Sequence, residues 1–102
     1  MKNAIFYCAY KLKKGTDTTE FLAASAQLND GYISKQQGYI SWKQGVDGDT
    51  WVDMITFDSM DNLMAFLAAS ETPNDHATKF YSYINMNSCK MHNFSVEVEH
   101  GV

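Results

Sequence analysis

The sequence predicts an α+β fold in which helices pack on one face of a four-stranded antiparallel sheet. Three observations predict it. Strand-like stretches stand near both ends of the chain, residues 3–12 and 90–98. Two more, residues 39–46 and 50–57, flank Asp47-Gly48, a dipeptide suited to the positive backbone angles of a tight hairpin turn. Between the strands lie segments whose apolar residues recur at helical spacing behind a capping residue.

The first strand, residues 3–12, carries Ala4, Phe6, Cys8, Tyr10 and Leu12 on one side and Ile5, Tyr7 and Ala9 on the other, so neither face reads as wet. A helix follows Gly15. Asp17 can cap it, with Glu20 three residues on as in a capping box, and Phe21, Ala24, Leu28 and Tyr32 form its inward stripe. Gly38 is the expected stop. In the third strand Trp51, Ile55 and Phe57 share a face with Asp53, and Val52, Met54 and Thr56 form the other. A second helix is expected from Ser59 or Asp61, with Leu63, Met64 and Leu67 inward. It breaks at the only proline of the chain. Thr72 is the expected cap and Pro73 the first residue of a restarted helix, Asp75 returning a bond to the cap. The stripe of that helix is Ala77, Phe80, Tyr81 and Ile84, and the last strand puts His92, Phe94, Val96 and Val98 on one face.

Strand, helix, strand, strand, helix, strand, joined by right-handed crossovers, is a ferredoxin-like βαββαβ arrangement. Its helices cover one side of the sheet. The first and third strands become central, and both are expected to hold aromatic side chains on the bare side, leaving an apolar patch in water. Each large side chain gains roughly 1.5–3 kcal/mol on full burial. The expected cover is a second copy of the chain packed sheet to sheet about a two-fold axis, giving a homodimer.

Composition excludes several classes. The 102 residues form one expected domain, 1–102, with 45% hydrophobic and 14% aromatic residues and no low-complexity stretch. The net charge is -4, and all eight basic residues are lysines. Without the arginine fork that grips phosphates, nucleic acid is not an expected partner. Lys11 to Lys14, KLKK, reads as a solvated strand end. The longest apolar run, Leu63 to Ala69, is far too short to span a membrane, and the N-terminal lysine-led run has no cleavage site after it. A cytoplasmic protein is expected. Cys8 and Cys89 fit neither a metal spacing nor a disulfide framework and read as small buried apolar residues. No metal site, Gly-rich phosphate loop or serine triad is present in the sequence.

The segments KGTDTTEFLAA, GYI, TWVDMITFDS and ASETPNDHATKF together resemble the dimeric α+β barrel proteins of the antibiotic biosynthesis monooxygenase type, over nearly the whole chain. The resemblance implies a cavity between sheet and helices for a small aromatic or apolar molecule. One branch of that superfamily implies cofactor-independent oxidation: the enzyme takes a proton from a polycyclic phenol, and the electron-rich carbanion reduces oxygen directly, with neither metal nor flavin. A haem-degrading branch implies an Asn on the first strand, a Trp on the second helix and a His ten residues later. His76 matches that His, but Phe66 stands at the Trp position and Cys8 at the Asn position.

Two residues are candidate catalytic groups. His76, in the first turn of the restarted helix, is either a base or ligand kept neutral by the helix N-terminus, or a polar residue at a helix edge. Asp53 sits in an apolar strand, where a carboxylate must be paired, hydrogen-bonded or neutral. If it faces the cavity it is a base of raised pKa; if it faces a partner sheet it is structural. His92 reads as a hydrogen-bonded core histidine. Trp42, Trp51, Tyr7, Phe66 and Tyr81 are the candidate ligand-binding wall, with core or interface packing as the plainer alternative. The reading is therefore a cofactor-independent monooxygenase, with a non-catalytic small-molecule-binding or sensing domain as the alternative and a haem-binding protein third.

Overall fold

The computed structural model describes residues 1–101; Val102 lies outside the described residues. The elements are β1 (Ala4–Leu12), α1 (Thr18–Gly31), a 3-10 turn (Ile33–Lys35), β2 (Tyr39–Asp47), β3 (Thr50–Phe57), α2 (Met60–Ala69), α3 (Asp75–Tyr81) and β4 (Ile84–Ser95). The four strands form one sheet in the order β2-β3-β1-β4, with every neighbouring pair antiparallel. This is the ferredoxin-like arrangement expected, with β1 and β3 central.

Local chemistry sets the helix starts. Asp17 caps α1 by accepting from the Thr19 and Glu20 amides at 2.8 and 3.2 Å. Ser59 caps α2 by accepting from the Asn62 amide at 3.1 Å. The restart after the proline differs from expectation. Asn74, not Thr72, is the cap of α3, and its Oδ1 accepts from the Ala77 amide at 3.1 Å. Pro73 therefore precedes the cap instead of opening the helix. The side-chain oxygen of Asn or Asp is at least as good an N-cap acceptor as a Thr hydroxyl, and Asn74 lies two residues nearer the body of the helix.

Further boundaries move. Helix α1 stops at Gly31, well before Gly38, because the 3-10 turn intervenes. Gly38 serves instead the entry to β2: its φ is +82° and its carbonyl accepts from the Asp58 amide at 2.8 Å. The β2–β3 loop is Gly48-Asp49, since Asp47 pairs with Thr50. Only Gly48 has positive φ, +61°, the pattern of a type II′ turn. Ile84 belongs to β4 and not to the stripe of α3, and β4 ends at Ser95, before Val96 and Val98.

The inner face of the sheet meets the helices through an aromatic cluster. Phe21 of α1 is fully buried. Its ring centroid lies 5.2 Å from Phe80 in a stacked pair and 5.1 Å from Trp51 edge to face. Phe66 of α2 packs 5.1 Å from Phe57 of β3. Such pairs add about 0.5–1.5 kcal/mol each beyond area burial. Met64, expected inward, is 44% exposed, and Leu63 and Phe66 are the buried residues of α2.

The opposite face is uncovered. Register places Ile5, Tyr7 and Ala9 of β1 beside Val52, Met54 and Thr56 of β3 and beside His92 and Phe94 of β4. Tyr7 is an aromatic of β1 there, as expected, but β3 offers none: Trp51 and Phe57 point to the helices. His92 is exposed and rests against Tyr7 at 6.0 Å between centroids, so it is not a core histidine.

A Cβ at Gly38 would run into the Asp58 carboxylate and the Asn62 side chain, in a backbone region L-residues rarely adopt. Gly38→Ala is expected to destabilise the fold by about 2–4 kcal/mol, read as a lower urea midpoint with an unchanged denaturant slope.

Candidate functional site

Asp53 lies at the centre of the sheet, and register makes its neighbours. It stands opposite Cys8 of β1 on one side and opposite Gln44 of β2 on the other. Tyr10 is one pleat further along β1, close enough for a diagonal side-chain contact. The Tyr10 hydroxyl donates to Asp53 Oδ1 at 2.9 Å. Asp53 is only 4% exposed and Tyr10 only 2%, so this is a carboxyl and a phenol in a nearly dry setting. Gln44 is itself tethered, its Nε2 donating to Ser25 Oγ at 3.1 Å, which in turn donates to the Phe21 carbonyl at 3.1 Å.

These surroundings oppose ionisation. Burial raises the Asp53 carboxyl from its ordinary 3.8 to about 6, although Tyr10, Gln44 and Trp42 each draw it back down. Of the three, only Tyr10 makes a hydrogen bond of ordinary geometry to it. Tyr10 is pushed well above the ordinary phenol value by burial first and by the neighbouring Asp53 second. Burial likewise pushes the Cys8 thiol up to about 12, with Cys89 and Asp53 adding to the effect. Tyr10 thus stays a donor, Cys8 stays a neutral thiol, and Asp53 is the group poised to exchange a proton near neutral pH.

Asp53 opens onto a cavity with a volume of about 260 Å3. This lies just under the ~300–1,000 Å3 common for ligand pockets. Its wall is apolar, with Phe6, Ile55, Phe80 and Ile84 prominent, and Tyr81, Met86 and Met91 stand at its exposed rim. Trp42 contributes an unusual feature: its Nε1 is buried with no hydrogen-bond partner among the described residues. A buried donor without a partner costs about 1–3 kcal/mol, and an acceptor on a bound molecule would relieve that.

A bulge in β4 builds the remaining wall. Lys90 pairs with Ala9 but Asn85 pairs with Lys11, so β4 takes five steps where β1 takes two. Ser88 holds the distortion, its Oγ accepting from the Lys11 amide at 2.8 Å. The odd number of extra residues reverses the inside–outside alternation along β4. As a result Ile84 and Met86 on one side of the bulge and Cys89 and Met91 on the other all line the same cavity.

The expected site residues separate accordingly. Asp53, Trp42 and Tyr81 line the cavity. Trp51 and Phe66 are core packing against Phe21 and Phe57, outside it. Tyr7 is on the uncovered face. His76 does not reach the cavity either: it is exposed, and its imidazole lies over Gly31, where a Cβ would meet Nε2 at 2.6 Å. No histidine lines the cavity, so a haem held there would lack the imidazole that the third reading requires. Among the described residues no group of three or more His, Cys, Asp or Glu side chains is placed to hold a metal ion. Tyr10, the partner of Asp53, was not singled out from the sequence; its position on the same strand face as Cys8 was the available signal.

No model of a known protein family matches the sequence, and no curated protein does. Solved structures do. The chain is similar to SnoaB, a cofactor-independent oxygenase from Streptomyces nogalater, with a TM-score of 0.75 and 14% identity over 98% of each chain. It is similar to a candidate antibiotic biosynthesis monooxygenase from Bordetella bronchiseptica, with a TM-score of 0.76 and 11% identity over 96% of this chain and 100% of that one. One from Chloroflexus aurantiacus gives a TM-score of 0.66 and 19% identity over 97% of each. The chain shares the fold of antibiotic biosynthesis monooxygenase-like proteins, in agreement with the resemblance drawn from its sequence.

The sign of the Asp53 shift fixes a stability effect. The unfolded chain loses this proton near the ordinary value, so between about pH 4 and 6 the folded state holds a proton that the unfolded state has released. That stabilisation is present at low pH and is lost as pH rises through about 6. Asp53→Asn, which keeps an acceptor for Tyr10, is expected to be more stable than the parent at pH 8 by on the order of 2 kcal/mol and equal to it near pH 4, as read by urea unfolding at both values. An Asn variant no more stable at pH 8 would mean that the carboxylate is not strained by burial.

Proposed function

We propose that the protein is a cofactor-independent monooxygenase acting on a small aromatic molecule held in the cavity beside Asp53. The observation that carries this reading is one buried carboxyl, raised to about 6 and braced by Tyr10, in the wall of an otherwise apolar cavity. The fold shared with a protein described as a cofactor-independent oxygenase supports it.

Asp53 is the base. With Oδ1 engaged by Tyr10, Oδ2 is left to take the hydroxyl proton of a phenol. A carboxylate of pKa near 6 is a stronger base than an ordinary one yet still ionised at neutral pH. The resulting anion is electron-rich at its para carbon and reduces dioxygen there. A carbon–oxygen bond forms, the hydroperoxide loses the ring hydrogen with cleavage of its oxygen–oxygen bond, and water leaves. One phenol and one dioxygen give one quinone and one water, and Asp53 releases its proton. Trp42 Nε1, the unpartnered donor, stabilises the developing oxyanion, and the apolar wall keeps out bulk water. His76, over Gly31, has no part in this scheme.

With 1-naphthol as probe, the parent protein is expected to consume one dioxygen per 1,4-naphthoquinone formed, its rate rising with pH through about 6 to a plateau. Asp53→Asn is expected to lower that rate by about 100-fold or more, and Trp42→Phe by about 10-fold. Naphthol binding without oxygen consumption would favour the alternative, a binding or sensing domain with no chemistry.

The uncovered face is proposed to close against a second copy of the chain, forming a dimeric α+β barrel in the cytoplasm, where the free thiols of Cys8 and Cys89 persist. Half-buried Ile5, Tyr7, Val52 and Met54 make its centre, flanked by Phe94 at 40% exposure. Light scattering is expected to give twice the chain mass, and Met54→Lys, which puts a charge at that centre, to give one chain mass with the same circular dichroism. A parent protein of one chain mass at every concentration would rule the dimer out.

A further inference from the structure

The cavity does not end at its rim. Tyr81, Ile84 and Met86 are shared with a second, open depression of about 420 Å3, whose other lining residues are Leu12, Lys13, Lys14, Asn85 and Asn87. No carboxylate lines it. Neither Lys13 nor Lys14 takes part in an ion pair among the described residues; the lysines that do are Lys2 with Glu97 and Lys11 with Asp49. Asn85 turns its Oδ1 to the Asn87 amide at 3.2 Å, so its amide nitrogen keeps its donor capacity. On a chain of net charge -4, the mouth of the apolar cavity is thus a locally cationic, donor-rich vestibule.

The two ends of the combined space are electrically opposite. Asp53 is at the buried end and repels any anionic group pushed inward, while Lys13 and Lys14, in no ion pair among the described residues, line the open end. We propose that the molecule bound here is an aromatic carboxylate, its hydroxyl-bearing ring directed at Asp53 and its ionised carboxylate held at the mouth by Lys13 and Lys14. This rests on the reading of the cavity as the site of an aromatic ligand and adds the acid group and the direction of entry. The polarity acts as a ruler: only a ligand with its acid remote from its hydroxyl satisfies both ends. Lys13 and Lys14 are selectivity residues here, since they touch the substrate far from the reacting carbon.

The test compares 6-hydroxy-2-naphthoate, whose two groups are at opposite ends, with the neutral 6-hydroxy-2-naphthamide, by titration calorimetry. At low salt the acid is expected to bind about 5–10-fold tighter than the amide, and the advantage to shrink towards unity at high salt. In the Lys13→Gln, Lys14→Gln double variant the acid-to-amide ratio is expected to fall to near one even at low salt. Amide binding with no advantage for the acid in the parent protein, or an advantage that survives in the double variant, would overturn the proposal while leaving the cavity as an aromatic site. Binding of neither compound would overturn both.

Discussion

Three short helices do not cover the whole inner face of a four-stranded sheet, and the rest of the structure follows from that shortfall. Helix α3 has seven residues, about 10 Å of length. Its Phe80 reaches the cluster around Phe21, but it ends at Tyr81, which is left 46% exposed. The inner residues of β4 consequently face space instead of helix. Close packing would normally remove such a gap, since unfilled volume forfeits dispersion contacts. Here the side chains along the gap include Met86 and Met91, flexible enough to line an irregular space and still adapt to an occupant.

A carboxyl group in that wall is a cost the fold carries without structural return. An apolar residue opposite Cys8 would leave no charge to desolvate. Tyr10 reduces the cost by giving Asp53 a short hydrogen bond, yet does not abolish it, because the carboxyl still sits well above its ordinary value. The two groups also constrain each other, since the carboxylate discourages the phenol from ionising and the phenol remains a donor. An arrangement that destabilises the folded state at neutral pH, and does so beside an unpartnered indole nitrogen, is the kind of local inconsistency that marks a working site.

What could be read from the sequence divides along the same line. The order of strands, the central places of β1 and β3, the Asp17 and Ser59 helix starts and the oddity of Asp53 each rest on a local pattern, and local patterns survive in a single chain. The face of Asp53 is not legible there, because alternation assigns residues to two sides without saying which side the helices take. Tyr10 went unnoticed as its partner because a diagonal contact depends on register between strands forty-three residues apart, which no local period encodes. His76 shows the complementary limit. A helix start with a histidine looks purposeful in sequence, whereas in space the ring fills the notch left by Gly31.

The bulge in β4 is the least legible feature, and it links the cavity beside Asp53 to its open mouth. Periodicity reads a strand only while its alternation is unbroken, so the expected strand began at Lys90, on the far side of the distortion. The residues before it, INMNSC, hide the strand, because Ile84 also fits the helical stripe and Ile84 and Met86 follow one parity while Cys89 follows the other. An odd insertion held by Ser88 is what allows both parities to face one cavity. The same insertion turns Asn85 and Asn87 outward beside the end of β1, where Lys13 and Lys14 emerge. A regular strand would pair straight through this region, keep alternate residues on the uncovered face, and leave neither the sulfur-lined wall nor a polar mouth joined to it. The distortion therefore belongs to the proposed site as much as Asp53 does, since the carboxyl would supply the proton acceptor and the bulge supplies the space beside it.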